Sequence, residues 1–169
     1  DHAKASTVVC KRNIKTYTPH EQINVEPDIA VYAKALGNGF AIAACVGKRE
    51  FMNAAQSSFI SSTFWTESIG SVAALKTLEI MEREQSWLSI SQVGKNISDR
   101  WQNLADDNDI EIRRWGIPAL SGFSFAHPDN MIFKTYITQE MLKNGILAAN
   151  SVYVSTTHNP GVVDNYFEC

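Results

Sequence analysis

The chain has 169 residues, enough for one domain of ordinary size or two small ones. Hydrophobic residues make up 44% and charged residues 20%, which permits a buried core and excludes disorder as the organising feature. A net charge of −3 gives no electrostatic reason to expect nucleic acid or an anionic membrane as a partner.

Cys10, Cys45 and Cys169 are scattered, which argues against a disulfide framework or a zinc site and favours a reducing compartment. No apolar run approaches the ~20 residues needed to span a bilayer. Asp1-His2-Ala3-Lys4 lacks the basic-then-apolar pattern of a secretory signal, so a soluble cytoplasmic protein is expected. Both ends read as cut, and the expectation is a piece of a longer chain.

In chain order, residues 1–27 are polar and mixed, broken by Pro19 and Pro27. Ile29-Ala30-Val31-Tyr32 and Ala41 to Val46 are short apolar runs suited to strands buried on both faces. Between them Gly37-Asn38-Gly39 demands a turn, because Gly and Asn tolerate positive φ. Arg49 to Gln56 reads as a short helix and Ser57 to Thr66 as a Ser/Thr/aromatic loop. Thr66 is the expected N-cap of a helix running to about Glu84, with Ile69, Val72, Leu75, Leu78 and Met81 at helical spacing. A second helix starts near Ser86, its stripe made by Ile90, Val93, Ile97, Trp101 and Leu104. Ile110 to Trp115 and Leu120 to Phe125 have β character around the turn Gly116-Ile117-Pro118. Thr138 is the expected cap of a helix ending at Gly145, and Ser151 to Ser155 is a last strand. Asp164 onward looks like the start of another helix. Together these elements indicate an α/β or mixed architecture with a seam between the two long helices or just after the second, and the division taken is 1–85 and 86–169.

The informative stretch is Pro27 to Gly39, with Lys34 at a strand end just before a glycine turn. Burying a lysine ammonium is unfavourable, and desolvation promotes the neutral amine that can attack an aldehyde. The following glycines would let backbone approach a ligand. Two other readings stand beside this one: a surface lysine at an ordinary turn, and a phosphate-cradling loop. The latter is discounted because lysine precedes the glycines here, the reverse of a P-loop. Ser57-Ser58-Phe59-Ile60-Ser61-Ser62-Thr63-Phe64-Trp65 reads either as a cap and linker or as a phosphate site, since hydroxyls and free N–H groups beside a helix start suit an anion.

These residues resemble a known family. The run Pro27 to Gly39, continuing through Phe40-Ala41-Ile42-Ala43-Ala44, is similar to the lysine segment of class III aminotransferases, and most closely to the branch that includes glutamate-1-semialdehyde aminomutase. The Ser/Thr loop stands at the matching distance. The similarity continues through the second long helix into Gly116 to Leu120, Thr138 to Leu142 and Ser151 to Ser155, covering about residues 20–166.

The resemblance implies a fold-type-I pyridoxal-phosphate enzyme, represented by its C-terminal half: part of the large mixed or parallel-sheet domain, then a small α+β domain that helps close over substrate. It implies that Lys34 holds pyridoxal 5'-phosphate as a Schiff base and moves the substrate's proton. It also implies that Thr63, with Ser62 as a second candidate, binds the cofactor phosphate of the neighbouring subunit in a homodimer. The substrate would be a small amino acid or amino-aldehyde.

Two departures from the family pattern carry weight. Residues 1–18 contain no Asp-Glu pair to hold the pyridine nitrogen, and the glycine-rich phosphate loop is absent. Asn150 stands where the aminomutases carry an acidic residue, which leans toward ordinary transamination. The alternative reading is an inactive fragment that keeps only folding and subunit-contact surfaces. His20, His127 and His158 do not pair at metal-ligand spacing and read as loop residues. Trp87, Trp101 and Trp115 are expected in the core, while Trp65 could face substrate or an interface. Asp106-Asp107-Asn108-Asp109 lacks calcium-loop spacing, and Glu67 suits a helix's first turn.

Overall fold

A computed structural model of the chain describes residues 26–169. The readings made for residues 1–18, and for Pro19 and His20, lie outside these residues. The chain divides into two compact units, 1–74 and 75–169, with the division inside a helix.

In the first unit β1 (Ile29–Tyr32) pairs antiparallel with β2 (Ala44–Gly47), in a register that sets Ile29 opposite Gly47 and Tyr32 opposite Ala44. β2 is shorter than the apolar run predicts, because Ala41–Ala43 take no part in the pairing. The hairpin is closed at its open end by Lys48, whose N–H donates to the Asp28 carbonyl at 2.9 Å and whose Nζ donates to Asp28 Oδ1 at 2.8 Å. The expectation of strands buried on both faces is not met. Val31 and Tyr32 are exposed, and no parallel pairing occurs among the described strands. Two short strands have too little surface to cover themselves, and none of the described residues forms a layer over them. A short helix α1 (Arg49–Met52) runs on into a 3-10 turn over Asn53–Ser57.

Helix α2 spans Ile69–Glu84, starting three residues after the expected cap. Ser68 begins it, its carbonyl accepting from Val72 N–H at 3.0 Å, and Glu67 Oε1 accepts from Ile69 N–H at 3.0 Å. Gln85 then turns the chain with φ 48, and α3 follows over Ser86–Asp107.

The second unit has a core. Ile97, Trp101, Phe123, Val154 and Val163 are buried together, with Ile90, Val93, Ile112, Phe125, Ile137, Val152, Tyr166 and Phe167 packed against them. The α3 stripe is the one read from the sequence except at its end, where Ala105 is buried and Leu104 is exposed. β3 (Ile112–Ile117), β4 (Leu120–Phe125) and β5 (Ser151–Tyr153) form an antiparallel meander in the order 3-4-5. Gly94 is needed where α3 meets the β3–β4 turn, since any Cβ there would collide with the Pro118 carbonyl.

Three expectations in this unit are corrected. Helix α4 covers Asn130–Lys143, so Thr138 is internal, and its Oγ1 donates to the Lys134 carbonyl at 3.0 Å instead of capping. Trp115 is 47% exposed, because its ring lies flat over Gly122 of the neighbouring strand instead of entering the core. The last helix, α5 (Pro160–Phe167), begins earlier than read, capped by Asn159 Oδ1 accepting from Val162 N–H at 3.0 Å.

Candidate active site

The three residues singled out from the sequence, Lys34, Ser62 and Thr63, all belong to the first unit. Lys34 stands one residue beyond β1, after Ala33, and opens a 3-10 turn, Lys34–Leu36. Its backbone is left-handed, with φ 54, a region that costs a residue bearing a Cβ on the order of 1–2 kcal/mol. Its carbonyl accepts from Gly37 N–H at 3.3 Å, which closes the turn. Positive φ returns at Asn38 (φ 46) and Gly39 (φ 105), after Gly37 at φ −88, and the turn predicted at 37–39 is preceded by the 3-10 turn that the lysine opens. Strain of this kind is retained where a side chain must be aimed.

The lysine is exposed, contrary to the expectation of burial. The reason is that of the open strands: a hairpin with no covering layer cannot desolvate a group at its end. Its ammonium takes no hydrogen bond or ion pair among the described residues.

The Ser/Thr loop sorts into hydroxyls that are committed and hydroxyls that are not. Ser57 and Ser58 both donate to the Ala54 carbonyl, at 3.1 and 2.9 Å, and so finish the preceding turn. Ser62 Oγ accepts from Phe64 N–H at 3.3 Å, which leaves its own O–H free to donate. Thr63 opens the turn 63–66, and its hydroxyl has no hydrogen-bond partner among the described residues, nor has that of Ser61. Ser61 is therefore a further anion-binding candidate, which sequence reading passed over because nothing in composition separates one loop serine from the next. The helix start offers less than expected. The Glu67 carboxylate already occupies it by accepting from Ile69 N–H, so an anion here would be met by the loop hydroxyls instead. No hydrogen bond or ion pair joins Lys34 to Ser62 or Thr63.

The remaining candidates fall into structural roles. His127 Nδ1 accepts from Asp129 N–H at 3.1 Å, and His158 Nδ1 from Ser155 N–H at 3.0 Å, so each imidazole pins a loop. Asn150 Nδ2 donates to the Phe123 carbonyl at 2.7 Å, while the Asn150 carbonyl accepts from Phe123 N–H at 3.0 Å. A carboxylate could not donate in that way. A groove of about 440 Å3 in the second unit is lined by Arg113, Ser124, His127 and Asn130 among others, and none of the three predicted site residues reaches it. No group of three or more metal-ligating side chains occurs among the described residues, nor is any described helix long and apolar enough to cross a membrane.

A family model described as aminotransferase class-III matches residues 15–159. The chain belongs to the class-III aminotransferases. It is 31% identical over 136 residues to a 3-aminobutyryl-CoA aminotransferase of Cloacimonas acidaminovorans, covering 80% of this chain and 32% of that protein. It is 25% identical over 161 residues to a glutamate-1-semialdehyde 2,1-aminomutase of Methanosphaera stadtmanae, covering 85% of this chain and 38% of that one. Among solved structures, the pyridoxal-phosphate internal aldimine form of the FumI protein of a Sphingopyxis species superposes with a TM-score of 0.80 at 20% identity, covering 88% of this chain and 36% of the other. The class-III chain thus spans about a third of the length of the relatives it matches. Its fold is the α/β fold of the pyridoxal-phosphate-dependent transaminases, and pyridoxal phosphate is the cofactor that goes with that family.

The residues present fit that cofactor at two of its ends. A primary amine held at the tip of a strained turn suits the aldehyde, and uncommitted hydroxyls at Ser61, Ser62 and Thr63 suit the phosphate.

Proposed function

We propose that this chain supplies the lysine-bearing part (residues 1–85) and the small C-terminal domain (residues 86–169) of a pyridoxal-phosphate-dependent aminotransferase acting on a small amino acid or amino-aldehyde. The observation that carries the proposal is the left-handed Lys34, presented outward from the end of β1. Bound pyridoxal phosphate supplies an electron-withdrawing ring that stabilises the charge left when the substrate carbon loses its proton. With the cofactor bound, Lys34 Nζ would be the amine that holds its aldehyde carbon and, once a substrate amine takes that place, would hold and return the substrate's proton as the neutral amine. Thr63, helped by Ser62, donates its hydroxyl to the phosphate of the twin subunit's cofactor.

A homodimer with a shared site is supported by the apolar exposure around that loop, where Phe59 is 95% exposed and Phe64 and Trp65 about half exposed. The free thiols of Cys45 and Cys169 support a reducing, cytoplasmic setting. Asn150 favours transamination over aminomutase chemistry, because its place in the sheet calls for a hydrogen-bond donor. The inactive-fragment reading rests on the missing Asp-Glu pair and glycine-rich loop, and the family match does not favour it.

The test is to add pyridoxal phosphate to the purified chain, reduce with borohydride, and map the modified lysine by mass spectrometry. Lys34 is expected to carry the label, and Lys34→Ala to lose both the label and any yellow absorbance. Without the rest of the protein binding should be weak, since one amine and a few hydroxyls hold little of the cofactor. Label spread evenly over the other lysines would sink the proposal.

A further inference from the structure

Among described positions 26–73 only Gly37 and Gly70 are buried, and the same side chain packs against both. A Cβ built on Gly37 would run into the Phe40 carbonyl oxygen and come within 2.7 Å of Ile42 Cγ2. A Cβ on Gly70 would lie 2.7 Å from the Ala41 carbonyl oxygen and 3.2 Å from Ile42 Cβ. Gly37, at φ −88, is therefore required by close approach and not by its backbone angle. What approaches it is this chain's own segment 40–42, not a ligand. Gly39 differs, because φ 105 demands glycine there and nothing lies within 4 Å of its missing Cβ.

Each glycine sits at the foot of a functional segment. Gly37 N–H closes the turn on the Lys34 carbonyl at 3.3 Å. Gly70 lies in the first turn of α2, and the loop before it is tied to that turn by a run of bonds. Phe64 N–H donates to Ser62 Oγ, Glu67 N–H to the Phe64 carbonyl at 3.0 Å, and Ile69 N–H to Glu67 Oε1. Ile42 thus stands between the lysine turn and the base of the hydroxyl loop.

We infer that Ile42 is a positioning residue: wedged between Gly37 and Gly70, it sets the Lys34 turn against the helix start that carries Ser62 and Thr63. The inference rests on the proposed role of Lys34 and deepens it. A β-branched side chain suits the task, since its χ1 is stiff and its Cβ and Cγ2 each meet one glycine. Truncation to alanine withdraws Cγ2 from Gly37 and leaves only Cβ against Gly70, so the two segments lose the rigid side chain that spaces them and both resettle.

Two measurements on the purified chain test this. In the first, the rate of borohydride-trapped pyridoxal-phosphate labelling at Lys34 is divided by that at Lys48 as an internal reference. Ile42→Ala is expected to lower the ratio at least about tenfold, since misplacing a reacting group by an ångström can cost on the order of a hundredfold, and Ile42→Val to stay within about twofold of wild type. In the second, amide chemical shifts are compared between wild type and Ile42→Ala. Both Gly37 and the Ser62–Glu67 segment are expected to move. An unchanged labelling ratio in Ile42→Ala, or movement of one segment alone, overturns the inference. If wild type labels other lysines in preference to Lys34, the lysine assignment fails by itself, and the shift comparison still decides whether Ile42 couples turn to loop.

Discussion

The two units of this chain are held together by different means. Residues 75–169 close over an apolar core in which Ile97 is 3% exposed and Trp101 5%. Trp101 packs against Phe123 with ring centroids 5.0 Å apart and planes tilted by 58°, and donates its Nε1–H to the Tyr166 hydroxyl at 2.9 Å. Helix α5 is fastened to α3 by Arg100, which pairs with Asp164 at 2.6 Å and lies 4.1 Å over the Phe167 ring. Residues 26–74 have no such centre. They are held by a four-residue hairpin, local turns and packing at two glycines, with Val31, Phe40, Phe59, Ile60, Phe64 and Trp65 left exposed. The lesson is that the unit carrying the proposed site residues is the one without a core. A short hairpin and its loops stay open where no described layer covers them, whereas residues 75–169 close over a core of their own.

That contrast can be broken by experiment, most severely in the second unit. Trp101→Ala removes the central ring and orphans the Tyr166 hydroxyl, and should cost about 3–5 kcal/mol in urea denaturation. Loss of the cooperative transition is the extreme outcome, and an unchanged midpoint would show that the core is not where stability resides. Gly94→Ala forces a methyl group into the Pro118 carbonyl and should cost about 1–3 kcal/mol by the same measurement.

Tyr166→Phe leaves Trp101 Nε1–H without its acceptor, an expected loss of about 1–2 kcal/mol. It also carries a pH signature. Burial pushes the Tyr166 hydroxyl above its ordinary value, and the Trp101 hydrogen bond pulls it back only in part. A raised folded-state value means that this contribution is intact below the ordinary tyrosine value of about 10 and is lost as pH rises through the higher folded one. Thermal midpoints taken between about pH 9 and pH 11.5 should therefore fall in wild type more steeply than in Tyr166→Phe.

The smallest effect belongs to the first unit. Lys48→Ala deletes the exposed pair with Asp28, which raises the lysine's pKa chiefly through their hydrogen bond. Exposed pairs contribute little, so denaturation should be unaltered. A clear loss would mean that the hairpin depends on this staple more than its exposure implies.

Much of the second unit was legible because its signals are periodic. The α3 stripe, the β3–β4 pair around Gly116-Ile117-Pro118 and β5 all stand close to where patterning puts them. Thr138 misled because a threonine bonding back to the carbonyl four residues earlier looks, in one dimension, like one capping a helix. Trp115 misled because an aromatic ring can lie over a neighbouring glycine as readily as enter a core. At the site, the lysine and the hydroxyl loop were visible as residue types at a telling distance. The left-handed turn at Lys34, the occupation of the helix start by Glu67 and the double role of Ile42 were not. Each of these depends on which atoms meet after folding.

The amino-acid order alone determined the family, the residue types able to meet an aldehyde and a phosphate, and the helical and strand periods, since these are properties of local chemistry and spacing. Only the tertiary structure decided which hydroxyls are already spent on backbone, which glycine is required by contact and which by its φ angle, and that Lys34 stands exposed. Burial and hydrogen-bond partnership are set by residues far away in the chain, and no local pattern records them.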